Sequence, residues 1–151
     1  SPSKGWDAAC KRTATWALMK CKKTGRKFYF VNTHLDHVGE EAREKGLALV
    51  VGRINSMNKD RYPVVLTGDF NMKAGHRSFS GLESIMKNAR TSAETTDTHH
   101  SYNGWGKSSS VIDYIYYSGF SACRKFSTVT KPYAERKFIS DHFPISAELV
   151  F

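Results

Sequence analysis

Cysteine is scarce, acidic residues are outnumbered, and no long hydrophobic run is present. Each shortage removes a class of protein. Three cysteines among 151 residues cannot build the dense disulfide framework of a secreted miniprotein, and none has Cys-x-x-Cys spacing. Cys10, Cys21 and Cys123 are read as buried free thiols, with a Cys10–Cys21 bridge across a hairpin as the alternative. No apolar stretch approaches the ~18 residues of a membrane-spanning helix, because charge or glycine interrupts each one. The opening residues, Ser1-Pro2-Ser3-Lys4-Gly5, have neither the apolar core nor the cleavage site of a secretory leader. With no initiator Met, the chain is expected to be trimmed or part of something longer.

Hydrophobic residues make up 40% of the chain and aromatics 13%, which excludes intrinsic disorder and suits one domain over residues 1–151. A domain of this length buries roughly 68–70% of the surface its unfolded chain exposes. The 23 Lys and Arg against 14 Asp and Glu leave a net charge of +9, which favours anionic partners such as nucleic acid, phosphates or anionic lipid.

β-forming residues fill 13–19 and 27–33, separated by the polar turn Lys22-Lys23-Thr24-Gly25-Arg26, and together predict a hairpin. Over 38–57 the apolar residues Leu47, Val50, Val51, Ile54 and Met57 share one helical face, with Glu40 and Glu41 at the positive end of the dipole. Gly46 and Gly52 weaken that helix, and close packing against a sheet is the expected reason for them. Pro63-Val64-Val65-Leu66-Thr67-Gly68 reads as a strand buried on both faces. Ser80 and Glu83 have capping-box spacing, predicting a second helix with Leu82, Ile85 and Met86 inward. Residues 89–110 read as a long surface loop, and β-like segments follow at 111–117, 122–130 and 143–151. Trp16 and Phe30 are assigned to the core, and Tyr102 and Trp105 to a small cluster in the loop.

The result is an α/β domain on a mixed sheet. Its central strands are apolar on both faces, yet about two helices are available to cover them. An uncovered face is therefore expected, to be covered by an upstream layer, a symmetric dimer or an exchanged element.

Four short motifs fall at strand ends: Asn32-Thr33-His34-Leu35, Gly68-Asp69-Phe70-Asn71, Ile112-Asp113-Tyr114-Ile115 and Ser140-Asp141-His142. Singly, each reads equally as a turn or a structural hydrogen bond. As a set, they place three carboxylates, two imidazoles and an Asn where ligand sites of open α/β sheets gather.

This set, in this order, resembles the endonuclease/exonuclease/phosphatase superfamily from about Asp7 to Phe151, and the stretch from Asn32 to Gly39 followed by Ala42-Arg43 resembles its small bacterial hydrolases. The resemblance implies a four-layer α-β-β-α sandwich, of which this chain would be the C-terminal half: one mixed sheet with helices on one face. It implies a metal-dependent phosphoesterase acting on a phosphodiester or phosphomonoester. His142 would be the general base, Asp113 the group orienting it, and Asp141 a ligand of Mg²⁺, with Mn²⁺ as the alternative. Asp69 and Asn71 would contact nucleophile, leaving group and phosphate, and His34 would bind phosphate. A metal-site Glu from the upstream half has no counterpart, since Glu40, Glu41, Glu44 and Glu83 all lie on predicted helices; the chain alone is expected to be incomplete for catalysis.

The chemistry is consistent with the residue types. Phosphoester hydrolysis needs a water deprotonated near neutral pH, a cation for the phosphoryl oxygens and donors for developing charge. His titrates in the right range, and a carboxylate behind it fixes the tautomer. Two other readings compete: a noncatalytic basic nucleic-acid-binding or interaction domain, and a zinc hydrolase using His34, Asp36, His37, His99 or His100, whose spacing matches no common zinc template. Arg12, Arg43 and Arg77 are candidates for supporting a phosphate site, with solvated salt bridges as the default.

Overall fold

The computed structural model describes residues 3–151. Strands β1 (Ala14–Lys20) and β2 (Lys27–His34) form the expected antiparallel hairpin, with Trp16 opposite Val31. Helix α1 (Glu40–Met57) carries the chain back so that β3 (Val64–Asp69) runs parallel to β2. After α2 (Ser80–Glu83), β4 (Lys87–Asn88) and α3 (Ala89–Ser92), β5 (Asp113–Ser118) inserts antiparallel between β3 and β4. The five-stranded sheet has the order β1-β2-β3-β5-β4, while β6 (Ala122–Thr128) and β7 (Ile145–Val150) pair antiparallel in a ladder of their own.

Strand alternation sends Val31, Leu66, Tyr114 and Tyr116 to one face, where they pack on Leu47, Val50 and Ile54 of α1 and on Phe70, Phe79 and Leu82. The opposite face presents Val65, Ile115 and Tyr117 to Ala89, Cys123 and Phe126, with Ile145, Ala147 and Leu149 of β7 alongside. The layers are thus helix, sheet and β6–β7 ladder. The ladder covers the middle of the second face only. At the β1–β2 end that face is open, with Met19 and Phe30 exposed. Trp16 (56% exposed) and Phe30 (41%) are therefore not core residues: Trp16 lies on the edge strand β1, and Phe30 lies on the face of β2 that the ladder leaves open.

Asp7, from the segment before β1, caps α1 by accepting from the backbone N–H groups of Glu41 and Ala42. Gly39 is required at that helix start: a Cβ there would collide with the Asp7 carboxylate and carbonyl. Close packing does not account for the two helical glycines. A methyl on Gly46 would make ordinary contact with Leu35, and one on Gly52 would meet nothing within 4 Å.

The second helix is shorter than predicted. A 3₁₀ turn over Arg77–Phe79, capped by the His76 ring, leads directly into α2, so Ser80 does not cap. Glu83 instead accepts from the hydroxyl of buried Tyr116 at 3.0 Å, and Ile85 is exposed. Residues 89–110 are not wholly a surface loop either, since they contain α3 and the buried Ser101 and Asn103. All three cysteines are free. Cys10 is exposed, Cys21 half-buried and Cys123 buried, so the thiol reading holds and the burial of Cys10 does not.

Candidate active site

Strand register assembles the site. His34, the last residue of β2, pairs with Asp69, the last of β3, and Asp69 pairs with Asp113, the first of β5. Directly paired residues share a face, so these three side chains form one row on the rim, on the side away from α1. The fourth group, His142, arrives on the segment entering β7, the layer that covers this same face.

Within the row the distances are short. His142 Nδ1 lies 2.8 Å from Asp113 Oδ2. Its Nε2 lies 3.8 Å from Asp69 Oδ2, and the same oxygen is 3.3 Å from His34 Nε2. Asn71 donates its backbone N–H to Asp69 Oδ1 at 2.8 Å and its side-chain amide to the Leu35 carbonyl at 3.0 Å. These bonds hold Asn71 at a left-handed φ of 50°, which Asn adopts more readily than most residues with a side chain. Gly68 is needed just before: a Cβ would strike the Thr33 carbonyl oxygen of the neighbouring strand.

Asp141 stands apart. The Ser140 hydroxyl donates to its Oδ1 at 3.3 Å, and its carboxylate is not part of the Asp69, Asp113 and His142 cluster, whose ligand atoms lie within 4.8 Å of one another. Among the described residues, no Lys or Arg lies within 4.0 Å of the Asp69, Asp113 or Asp141 carboxylates. Burial pushes the Asp69 carboxyl above its ordinary value, and the Asp113 charge adds to this; the Asn71 N–H and the two imidazoles act the other way. This rim is short of positive charge on a strongly basic protein.

A second group of ligand-type atoms, Cys10, Asp36 and His37, is already occupied. The Asp36 carboxylate accepts from the backbone N–H groups of Ala9, Cys10, Val38 and Gly39, and the Arg12 guanidinium lies 2.9 Å from His37 Nδ1. Burial raises the Asp36 pKa, but the four N–H groups outweigh it and hold the carboxyl well below the usual range. Arg43 donates to the Asp36 carbonyl, and Arg77 reaches Glu40 and Glu44. Arg12 and Arg43 therefore brace the turn after His34, and Arg77 makes surface ion pairs.

Three neighbours escaped the sequence reading. The Tyr102 ring lies against His142, with centroids 4.9 Å apart. Ser101 and Asn103 are buried beside it, although their polar surroundings in the sequence signalled a solvated loop. Trp105 is exposed and forms no cluster with Tyr102.

The fold and this rim can be set against known proteins. A mannosyl-6-phosphatase of Bacteroides thetaiotaomicron VPI-5482 superimposes with a TM-score of 0.87 at 30% identity, over 99% of this chain and 61% of its own. An endonuclease/exonuclease/phosphatase from Bacteroides vulgatus gives 0.86 at 33% identity, over 97% of this chain and 58% of its own. The human nocturnin catalytic domain, solved with bound sulfate, shares the fold with a TM-score of 0.65 at 22% identity, over 92% of this chain and 54% of its own. This chain thus spans about three-fifths of the length of the two bacterial structures. Comparison with the curated proteins gave no match. The sequence matches the Endonuclease/Exonuclease/phosphatase family model over residues 10–142, a span that runs from the Asp36 brace to the His142 imidazole, and the chain belongs to that family.

Proposed function

We propose that the rim residues hydrolyse a phosphate ester. The observation that carries this reading is the Asp113–His142 pair with its free imidazole edge turned toward Asp69. With Nδ1–H donated to Asp113, Nε2 is left unprotonated and can take a proton from a water. That water attacks phosphorus in line: its oxygen forms the new P–O bond, the bond to the leaving oxygen breaks, and the proton goes to Nε2. Asp113 then stabilises the imidazolium. His34, 3.3 Å from the same Asp69 oxygen, and the remaining amide hydrogen of Asn71 would donate to phosphate oxygens.

The divalent ion of this chemistry, Mg²⁺ or alternatively Mn²⁺, would be held by Asp141 with waters and the phosphate itself, and would neutralise charge on the phosphoryl oxygens. The lack of nearby Lys or Arg suits such a hard cation. A further acidic ligand would come from outside this chain in this reading; Glu40 and Glu44 pair with Arg77, Glu41 with Lys45, and Glu83 with Tyr116. The open β1–β2 face is where an upstream segment of the family domain, a second copy or an exchanged element would pack. The bacterial relative named for mannosyl-6-phosphatase activity supports a phosphomonoester among the substrates; the net charge of +9 equally suits nucleic acid.

The test is hydrolysis of p-nitrophenyl phosphate and bis-p-nitrophenyl phosphate by the complete protein with Mg²⁺. His142→Ala is expected to lower turnover by about 10²–10⁴-fold without unfolding the chain. Unchanged turnover in that variant would remove the base assignment, and a binding role for the basic surface would then be the better account.

A further inference from the structure

We infer that Ser101 and Asn103 are positioning residues, which together set the geometry of the Asp113–His142 pair. Asp113 starts β5 in one sheet and His142 precedes β7 in the other, so no ladder fixes the distance between them. A third segment bonds to both. The Ser101 hydroxyl oxygen accepts from the N–H of Ile112 at 3.2 Å and of Asp113 at 3.1 Å, and the Ser101 carbonyl accepts from Phe143 N–H at 2.7 Å. Asn103 donates its side-chain amide to the Ser140 carbonyl at 3.1 Å. The N–H groups of Asn103 and Gly104 both donate to the Asp141 carbonyl, at 2.8 and 3.0 Å. The backbone is thus gripped at residues 112 and 113 on one side and at 140, 141 and 143 on the other, with His142 enclosed between.

The two side chains are 0% and 1% exposed, and burial makes these bonds obligatory rather than decorative. Asn103 also accepts from Trp105 N–H at 2.8 Å, which holds Trp105 at a left-handed φ of 58° and forces the loop to turn back at this point. Tyr102, between the two, lays its ring on His142. Neither Ser101 nor Asn103 need touch substrate; they act through the pair they hold. A displacement of about 1 Å in a reacting group costs up to about 10²-fold in rate, so a loosened clamp should lower kcat far more than it raises KM.

The inference rests on the proposed catalytic pair, and its first readout is independent of activity. In ¹⁵N-labelled protein, the His142 Nδ1–H proton and the two ring nitrogens report the hydrogen bond to Asp113 and the tautomer. The wild type is expected to show one tautomer with a protected Nδ1–H signal. Ser101→Ala, which removes the acceptor for two N–H groups, should broaden that signal and mix the tautomers, and Ser101→Thr should restore it. Asn103→Ser keeps a short polar group able to accept from Trp105 N–H but cannot reach Ser140, and it should give the same loosening if Ser101→Ala does not fold. Turnover in Ser101→Ala and Asn103→Ser should fall by about 10–10²-fold with KM changed less than twofold, while Ser101→Thr stays near wild type. A single protected tautomer in folded Ser101→Ala or Asn103→Ser, whatever the stability, would overturn the positioning role. Loosened imidazole signals in those two variants, with a wild type that shows one protected tautomer but no hydrolysis, would leave the clamp standing and defeat the catalytic reading instead.

Discussion

Asp69 and Asp113 are direct partners across the antiparallel β3–β5 ladder, so two carboxylates share one face at the sheet rim, with no Lys or Arg within 4.0 Å among the described residues. Like charges directly opposite each other destabilise a sheet.

It follows that Asp69→Asn should stabilise the fold while abolishing activity. Burial raises the Asp69 carboxyl, so the folded state holds its proton more tightly than the unfolded chain does. The wild type and variant should match in stability below the unfolded carboxylate value of about 3.9, where Asp69 is neutral in both states. As pH rises through the elevated folded value, the wild type should lose stability relative to the variant. Urea unfolding of both proteins between pH 3.5 and 8, values chosen about the carboxylate range, checks this. A gap that closed with rising pH would contradict it.

Asp36 behaves in the opposite sense. Burial works against its charge, but four backbone N–H groups and the nearby Arg12 hold it ionised. Its contribution is fully present above the unfolded carboxylate range and is lost as pH falls toward its depressed folded value. Asp36→Ala would strand those donors and the guanidinium, and is expected to cost about 3–5 kcal/mol. The loss should be greatest at neutral pH and shrink in acid. Because Asp36 ties the segment before β1 to the turn after His34, hydrogen exchange in the variant should rise first at residues 9, 10, 38 and 39.

Gly52→Ala should raise stability. The position lies in an eighteen-residue helix with a negative φ and nothing within 4 Å of an added methyl, so the usual helix-interior advantage of Ala over Gly, about 0.5–1 kcal/mol, should appear undiminished. Gly46→Ala should gain at least as much, since its methyl would add ordinary apolar contact with Leu35 at 3.6 Å. Denaturant midpoints of the two variants measure the difference.

Trp105→Gly is expected to leave stability within about 0.5 kcal/mol of wild type: relief of the left-handed backbone offsets the greater entropy of the unfolded glycine chain, and the exposed indole gives up little burial. Phe70→Ala, in the packed core, should by contrast cost about 3–5 kcal/mol. A loss above about 1.5 kcal/mol for Trp105→Gly would show that the indole packs tightly after all.

Much of this fold was legible locally. The hairpin, α1, β3 and β5 arise from residues whose preferences agree with their neighbours: β-branched and aromatic runs broken by a glycine turn, and a 3.6-residue apolar stripe through Leu47, Val50 and Ile54. Because strands stop where the apolar run stops, His34, Asp69 and Asp113 could be recognised as strand-end residues from their flanks alone. α2 was overestimated because Ser80 and Glu83 have capping spacing, and the spacing cannot show that Glu83 has a buried tyrosine hydroxyl to bind instead.

What the chain order by itself determined, then, is which residues stand at the ends of strands and what chemistry they carry. Only the tertiary structure decided that they meet, because contact depends on register and on layers: β2 parallel to β3, β3 antiparallel to β5, and the β7 segment folded over the same face. The same holds for exposure. Trp16 and Phe30 have the composition of core residues but lie on an edge strand and an uncovered sheet face, whereas Ser101 and Asn103 have the composition of a surface loop but are buried by partners up to 42 residues away. Burial belongs to the assembled surface, and a polar side chain becomes structural only when distant backbone groups converge on it and water is excluded.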